Sequence, residues 1–327
     1  MTTTDEPKAK LKPSASQRPP QRPGDRIFSA SAKYAGVLIL VVLAAVAAFL
    51  LVQGWPAIST PSAELADAVH ILDGHSLLGY VGPLVFGTVL AALIALVIAT
   101  PIAIGVALFV SHYAPRRVAS GLGYVIDLLA AIPSVVYGLW GALWLMPRIF
   151  PFTEWLTTYF GWIPLFAGPA AAPARTIFTA GIVLAVMILP IITAVSREIF
   201  LQTPTLHEEA ALALGATRWE LIRMAVLPFA RSGIISATML GLGRALGETM
   251  AVAMVLSPGL FLYSIHILQA GQQQNIAANI ALKFPEASGL GVNVLIFTGL
   301  VLFVITLFVN MFARWIVSRR AEFSGAN

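Results

Sequence analysis

Six stretches of this 327-residue chain are long and apolar enough to cross a lipid bilayer, and they constrain everything else it can be. A helix needs about 20 mostly apolar residues to traverse the hydrocarbon core, where no water satisfies a backbone N–H or C=O. The stretches are Tyr34–Val52, Pro83–Val110, Gly121–Leu145, Thr176–Val195, Ser232–Leu256 and Val292–Phe312. Composition agrees, with 58% hydrophobic and only 11% charged residues, where soluble domains carry about 25% charged. The mean hydropathy of +0.85 says the same. A soluble enzyme, a secreted disulfide scaffold and a disordered chain are excluded. With no cysteine there is no thiol or zinc–thiolate chemistry. The expected class is an all-α integral membrane protein with six transmembrane helices.

The twenty Lys and Arg residues orient it. With the N-terminus inside, sixteen lie on the cytoplasmic side, in the N-terminal tail, the 2–3 loop (Arg116, Arg117), the 4–5 loop (Arg197, Arg218, Arg223, Arg231) and the C-terminus. Only Arg148, Arg175 and Lys283 fall outside, and Arg244 lies within a span. The expected topology is N-in and C-in, a multi-pass protein of the plasma membrane. The basic residues hug membrane ends, where anionic lipid attracts them, so the pI near 9.7 does not indicate nucleic acid.

Residues 1–33, rich in Pro, Ser, Lys and Arg, are expected to be a disordered basic cytoplasmic tail, and residues 34–327 the membrane domain. Pro101 and Pro133 are expected to kink spans two and three. Between spans five and six, Ile276, Ala277, Ile280, Ala281 and Phe284 recur at helical spacing, which predicts a short amphipathic helix at the outer mouth.

The cytoplasmic loop 196–231 carries its own folding signals. Thr203-Pro204 offers an N-cap and a first-turn proline, Thr205 with Glu208 an alternative capping box. The run from Leu206 to Leu214 is a good helix former, and Gly215 can stop it in the left-handed region. Thr217 and Glu220 read as a second capping box, opening a helix that Leu227-Pro228 ends. The plain alternative is a hairpin that merely spaces spans four and five. Against it, Leu206, Ala210, Ala213 and Leu214 line one face of a helix that needs the membrane domain's underside or a partner's groove.

Glu209-Ala210-Ala211, then Gly215, then Leu227-Pro228, resembles the E-A-A motif of the membrane subunits of ABC importers. The resemblance implies a type I importer fold, with this loop as the coupling helix that docks on a cytoplasmic ATPase.

Span five holds Gly241-Leu-Gly-Arg244-Ala-Leu-Gly247-Glu248-Thr249. Arg244 lies roughly 18 Å along that helix, near the midplane. An arginine there costs about 2.5–3.5 kcal/mol. Glu248, one turn on, would share its face in a continuous helix. An intrahelical pair that neutralises itself is one reading. The other is function: a guanidinium binds a tetrahedral oxyanion through two parallel hydrogen bonds, and a carboxylate accepts from a protonated phosphate oxygen that sulfate lacks. Asp127 in span three is a weaker candidate. Gly243 and Gly247 form a GxxxG, read as a helix-packing face.

The stretch Gly241–Val252 resembles permeases of the phosphate-specific transport system, and Asp127-Leu-Leu-Ala-Ala-Ile-Pro-Ser-Val-Val-Tyr-Gly-Leu-Trp-Gly141 resembles their PstC type. The resemblance implies a phosphate importer working by alternating access. It implies a PstA-like permease as heterodimer partner, two PstB-like ATPase subunits and an extracytoplasmic phosphate-binding protein. Arg244, Glu248 and Thr249 would then line the substrate path. No lysine follows a glycine, so no Walker A loop is present and ATP with its magnesium belongs to a partner. The competing readings are a permease for sulfate or molybdate, and an ATP-independent channel or secondary carrier.

Overall fold

A computed structural model describes residues 23–61, 64–65, 69–72, 74–257, 259 and 262–318. Its helices are α1 Pro23–Ser59, α2 Leu77–Leu108, α3 Arg116–Ala130, α4 Ser134–Trp140, α5 Met146–Phe160, α6 Ile177–Leu201, α7 Thr205–Ala213, α8 Arg218–Leu221, α9 Leu227–Leu246, α10 Met250–Val255, α11 Ile276–Lys283 and α12 Leu290–Ser318. Among the described residues six helical runs are long and apolar enough to span a membrane: Ile27–Ser59, Leu77–Tyr113, Ser134–Phe160, Ile177–Leu201, Arg218–Leu246 and Leu290–Val317. The class and the number of crossings agree with the sequence; several boundaries do not.

Residues through Phe49 form one compact unit and those from Leu50 another. In the first, α1 is already helical at Pro23, so the expected tail of residues 1–33 loses its last eleven residues to the helix. Residues 1–22 lie outside the described residues. Apolar side chains of this unit, Val37, Leu40 and Val41 among them, are exposed, as suits a lipid solvent.

In the second unit α6 is the axis. Its Ile177, Val183, Leu184, Ile188 and Ile192 are buried. Against it lies α2, which offers Ala91, Ala95, Ala99 and Ala103 at four-residue intervals, all at most 1% exposed. A ridge of small residues lets two backbones approach closely, which is how helices associate where apolar burial gives no driving force. The opposite face of α2 presents Leu93 and Val97 outward.

Prolines set the irregularities. Three π-turns, Phe109–Tyr113, Gly141–Leu145 and Ile222–Val226, each end two residues before a proline: Pro115, Pro147 and Pro228. A proline has no N–H to give the carbonyl four residues back and its ring clashes with it. In each case that carbonyl belongs to the middle of the π-turn, and the wider winding moves it aside. The N–H just before each proline reaches five residues back instead: Ala114 to Phe109, Met146 to Gly141 and Leu227 to Ile222. Leu227-Pro228 therefore does not end a helix, as expected from the sequence. It opens α9, and the run from Arg218 to Leu246 is continuous through the π-turn.

Two spans are corrected. The third is not Gly121–Leu145 but Ser134–Phe160. Pro133 separates α3 from α4, and α3 is a distinct helix with Gly123 and Ile126 buried and Arg116, Arg117 and Asp127 exposed. The fifth does not continue to Leu256: α9 stops at Leu246, and Gly247–Thr249 are non-helical before α10 begins. The short helix expected after it is present as α11, capped by Asn275, whose side chain accepts from the Ala278 N–H at 3.1 Å. It lies deeper than an interfacial helix, with Ile276, Ala277, Ala278 and Asn279 buried. The Asn279 Oδ1 accepts from the Tyr80 hydroxyl at 2.6 Å.

Candidate functional site

Arg244 falls in the last turn of α9 and Glu248 just before the first turn of α10. They do not form an intrahelical pair, the first of the two readings open from the sequence. Among the described residues the one charged contact within ion-pair distance is His112–Glu208. The spacing of four residues aligns side chains only on an unbroken helix, and this one breaks between the two. Each charge instead meets a helix end of opposite sign. Arg244 sits where the carbonyls of α9 run out, and the Glu248 Oε1 accepts from the Ala251 N–H of α10 at 3.1 Å. Glu248 is buried at 7% exposure, and Thr249 next to it donates its hydroxyl to the Gly247 carbonyl at 3.3 Å. Irregular backbone at membrane depth is tolerated where it is packed in protein or lines a cavity.

Arg244 does line a cavity, of about 580 Å³, between α9 and α12. Its walls include Ser236 and Gly243 from α9, and Asn310 and Arg314 from α12. The Arg244 charge also reaches Tyr137 of α4, whose hydroxyl donates to the Leu129 carbonyl at 2.8 Å. Asp127, the weaker candidate, is not with them. It lies on the exposed side of α3 rather than in a span.

Among the described residues of this chain the Gly243 and Gly247 pair packs against no other helix. A side chain at Gly243 would meet nothing within 4 Å, and at Gly247 only the Gly243 carbonyl at 3.6 Å. The close approach is at Gly241, where a Cβ would stand 2.8 Å from Ile192 of α6. The packing seam of α9 is therefore Ala237, Gly241 and Ala245, at four-residue spacing and buried. That spacing was present in the sequence and is the signal the GxxxG obscured.

The loop between α6 and α9 folds as two short helices around Gly215, as expected. Gly215 has φ +82°, in the region that suits glycine. Its N–H bonds the Leu212 carbonyl at 2.9 Å and the Ala216 N–H bonds that of Ala211 at 3.2 Å, closing α7 in a Schellman motif. The Thr217–Glu220 capping box is formed, with the Thr217 N–H and hydroxyl each donating to Glu220 Oε2 at 2.8 Å. Those bonds hold the Glu220 carboxyl below the usual carboxylate range, the backbone N–H contributing most. Neither cap expected at the start of α7 is used: Pro204 itself occupies the N-cap and no threonine side chain bonds there.

One side of α7 rests on the domain through Ala211, which packs against a cluster of Phe200, Leu221, Ile222 and Val226. The other side is free: Leu206, Glu209, Ala210, Ala213 and Leu214 are exposed, Leu214 at 88%. Leu227 is half-buried in the same cluster and Pro228 is exposed. Sequence reasoning missed how α7 is tied down. Glu208 meets the His112 Nε2 at 3.4 Å, and the His112 Nδ1 bonds the Ser111 hydroxyl at 2.7 Å. The His112 side chain is 13% exposed. Residues ninety-six apart in the chain leave no local signal for such a contact.

The family model for the inner membrane component of binding-protein-dependent transport systems matches residues 99–322. The phosphate transport system permease protein PstC 2 of Mycobacterium tuberculosis is 43% identical over 308 residues, covering 93% of this chain and 94% of that protein. The phosphate transport system permease proteins PstC of Mycobacterium leprae and Mesorhizobium japonicum are 41% and 37% identical, each over at least 91% of both chains. Among solved structures, an inward-facing form of the MetNI methionine ABC transporter superposes with a TM-score of 0.50 at 20% identity, covering 74% of this chain and 95% of that one.

Proposed function

This chain belongs to the inner membrane components of binding-protein-dependent transport systems, and within them to the PstC-type permeases; from that premise we propose that it carries inorganic phosphate inward through a path containing Arg244. A permease of this family is not itself catalytic. In this reading the energy comes from ATP, bound with magnesium by two PstB-like subunits on the cytoplasmic side. A PstA-like permease completes the path, and an extracytoplasmic binding protein delivers the anion. The N- and C-termini face the cytoplasm, as the sixteen inside basic residues favour.

The observation that carries the reading is the broken helix at Gly247–Thr249, which leaves Arg244 on a cavity wall with no carboxylate paired to it. A guanidinium in that setting binds a tetrahedral oxyanion bidentately. Glu248 is buried and anchored to the Ala251 N–H of α10 and does not line the cavity, so in this reading Arg244 makes the anion contact and Glu248 fixes the break in the helix. The exposed face of α7, with Glu209 and Ala210 on it and Gly215 stopping it, is the surface offered to the ATPase. ATPase closure would move α7. Ala211 and the Glu208–His112 contact would then transmit that motion to α9 and to the end of α2.

The test is uptake of radiolabelled phosphate at low micromolar concentration, with sulfate and molybdate as competitors. Cells lacking this gene are compared with cells complemented by wild type or by Arg244→Gln at matched membrane abundance. Wild type is expected to restore uptake and Arg244→Gln to lose at least tenfold. Full restoration by the variant would reduce Arg244 to a structural residue. No restoration by wild type would remove the phosphate assignment.

A further inference from the structure

The cavity that receives Arg244 receives a second guanidinium, from a helix that no motif drew attention to. Arg314 lies on α12, four residues before its end, and it shares a face with Asn310, one turn earlier, and Val317, one turn later. All three line the cavity toward α9. The opposite face of the same turns is Phe308, Met311, Phe312 and Trp315, exposed at 66%, 58%, 60% and 49%. An arginine that serves only to mark the cytoplasmic boundary snorkels to the headgroups from a lipid-facing position. Arg314 and Asn310 are themselves exposed, but they lie on the other face of the helix, on the wall of an open cavity that Arg244 also lines.

Among the described residues no carboxylate lines that cavity and neither arginine has an ion-pair partner. Two like charges facing one space repel, so the arrangement favours an anion between them. The volume, about 580 Å³, lies within the range of small-molecule sites. The lining on α9 runs only from Ile235 to Arg244, about 14 Å of helix, so both guanidiniums address the same short groove. Gly243 keeps the wall open, since the space where its side chain would stand is empty.

We infer that Arg314 and Asn310, together with Arg244, form a binding site for a phosphate group in the cavity between α9 and α12. As a station for transported inorganic phosphate it rests on the function proposed above. The same chemistry also fits the headgroup phosphate of a lipid, and the experiment separates the two sources. The full-length chain is purified with its importer partners and reconstituted in zwitterionic lipid, and binding of radiolabelled orthophosphate is measured for wild type, Arg314→Lys, Arg314→Gln and Asn310→Leu. In parallel, the anionic phospholipid retained through purification is quantified by mass spectrometry. Monodispersity and partner recovery establish that each variant is assembled, and Arg314→Lys, which keeps the charge without the planar fork, covers the case in which the glutamine variant does not assemble.

The expected result is a tenfold to hundredfold loss of orthophosphate affinity in Arg314→Gln and a smaller loss in Arg314→Lys and Asn310→Leu. Unchanged orthophosphate binding with loss of retained anionic lipid in Arg314→Gln would support the same site with a headgroup as its occupant. Wild-type behaviour of all three variants in both measurements would overturn the inference. Failure of the transport assignment reads differently: wild-type cells would take up no phosphate, whatever residue stands at position 314.

Discussion

The two glycines flanking Leu242 provide a direct test of where α9 packs. Replacing glycine by alanine inside a helix gains about 0.5–1 kcal/mol, because the unfolded chain loses conformational freedom and the helix gains propensity. At Gly243 nothing lies within 4 Å of the added methyl, so Gly243→Ala should realise that gain. At Gly241 the methyl would stand 2.8 Å from both Cδ1 and Cγ1 of Ile192, with the Ile188 Cβ at 3.6 Å behind. Ile192 is fully buried and has no space to move into, so Gly241→Ala meets an overpacking cost of about 1–3 kcal/mol. Offsetting the propensity gain against that cost, the two variants should differ by about 1–3 kcal/mol, the Gly243 variant being the more stable. The measurement is denaturant unfolding of the purified chain in detergent micelles, without a partner permease that could cover Gly243. Equal stabilities, or a Gly243→Ala variant below wild type, would return the seam to Gly243 and Gly247 and refute the argument.

Two further outcomes are expected. Leu206→Asp with Leu214→Asp places carboxylates on the free face of α7, away from Ala211; the chain should reach the membrane in normal amount, while ATPase recovered with it and phosphate uptake both fall at least tenfold. The Thr217–Glu220 box should weaken in acid. Because the folded carboxyl titrates below its ordinary value, its contribution is complete above that value and is lost as pH falls through the depressed one. Faster amide exchange through α8 in that window would show it, and Glu220→Gln should remove the pH dependence.

Much of this was legible in the sequence because it is local. Six crossings follow from runs of apolar residues, since lipid allows few alternatives to a continuous helix. Gly215 and the Thr217–Glu220 box follow from chemistry that operates within a single turn. What was not legible depends on two elements meeting. Pro228 was read as a terminator because its missing N–H is a local fact; that a π-turn absorbs the loss is a choice made by packing, with Ile222 and Val226 buried against Phe200. Pro133 was read as a kink and is a boundary, which moved the third span outward and took Asp127 out of it. The pairing of Arg314 with Arg244 joins residues seventy apart on antiparallel helices, and the charge pattern of either helix alone gives no hint of it.

The break in the fifth span changes the energetics as well as the geometry. Had Arg244 and Glu248 faced each other on a continuous helix, the pair would have neutralised itself, and the bland reading would have sufficed. With the helix broken, Arg244 has the carbonyl end of α9 as its compensation, an interaction worth about 0.3–1 kcal/mol and at most about 2. An arginine at the bilayer centre costs about 2.5–3.5 kcal/mol, which is an upper bound for Arg244, two residues from the end of the run Arg218–Leu246. The helix end therefore leaves at most about 1–3 kcal/mol uncompensated, and the second guanidinium in the same cavity enlarges it. Such a remainder is a driving force for an anion to enter, and it is small enough that the anion can leave again when the cavity changes shape. A site that closed its own charge balance would have neither property.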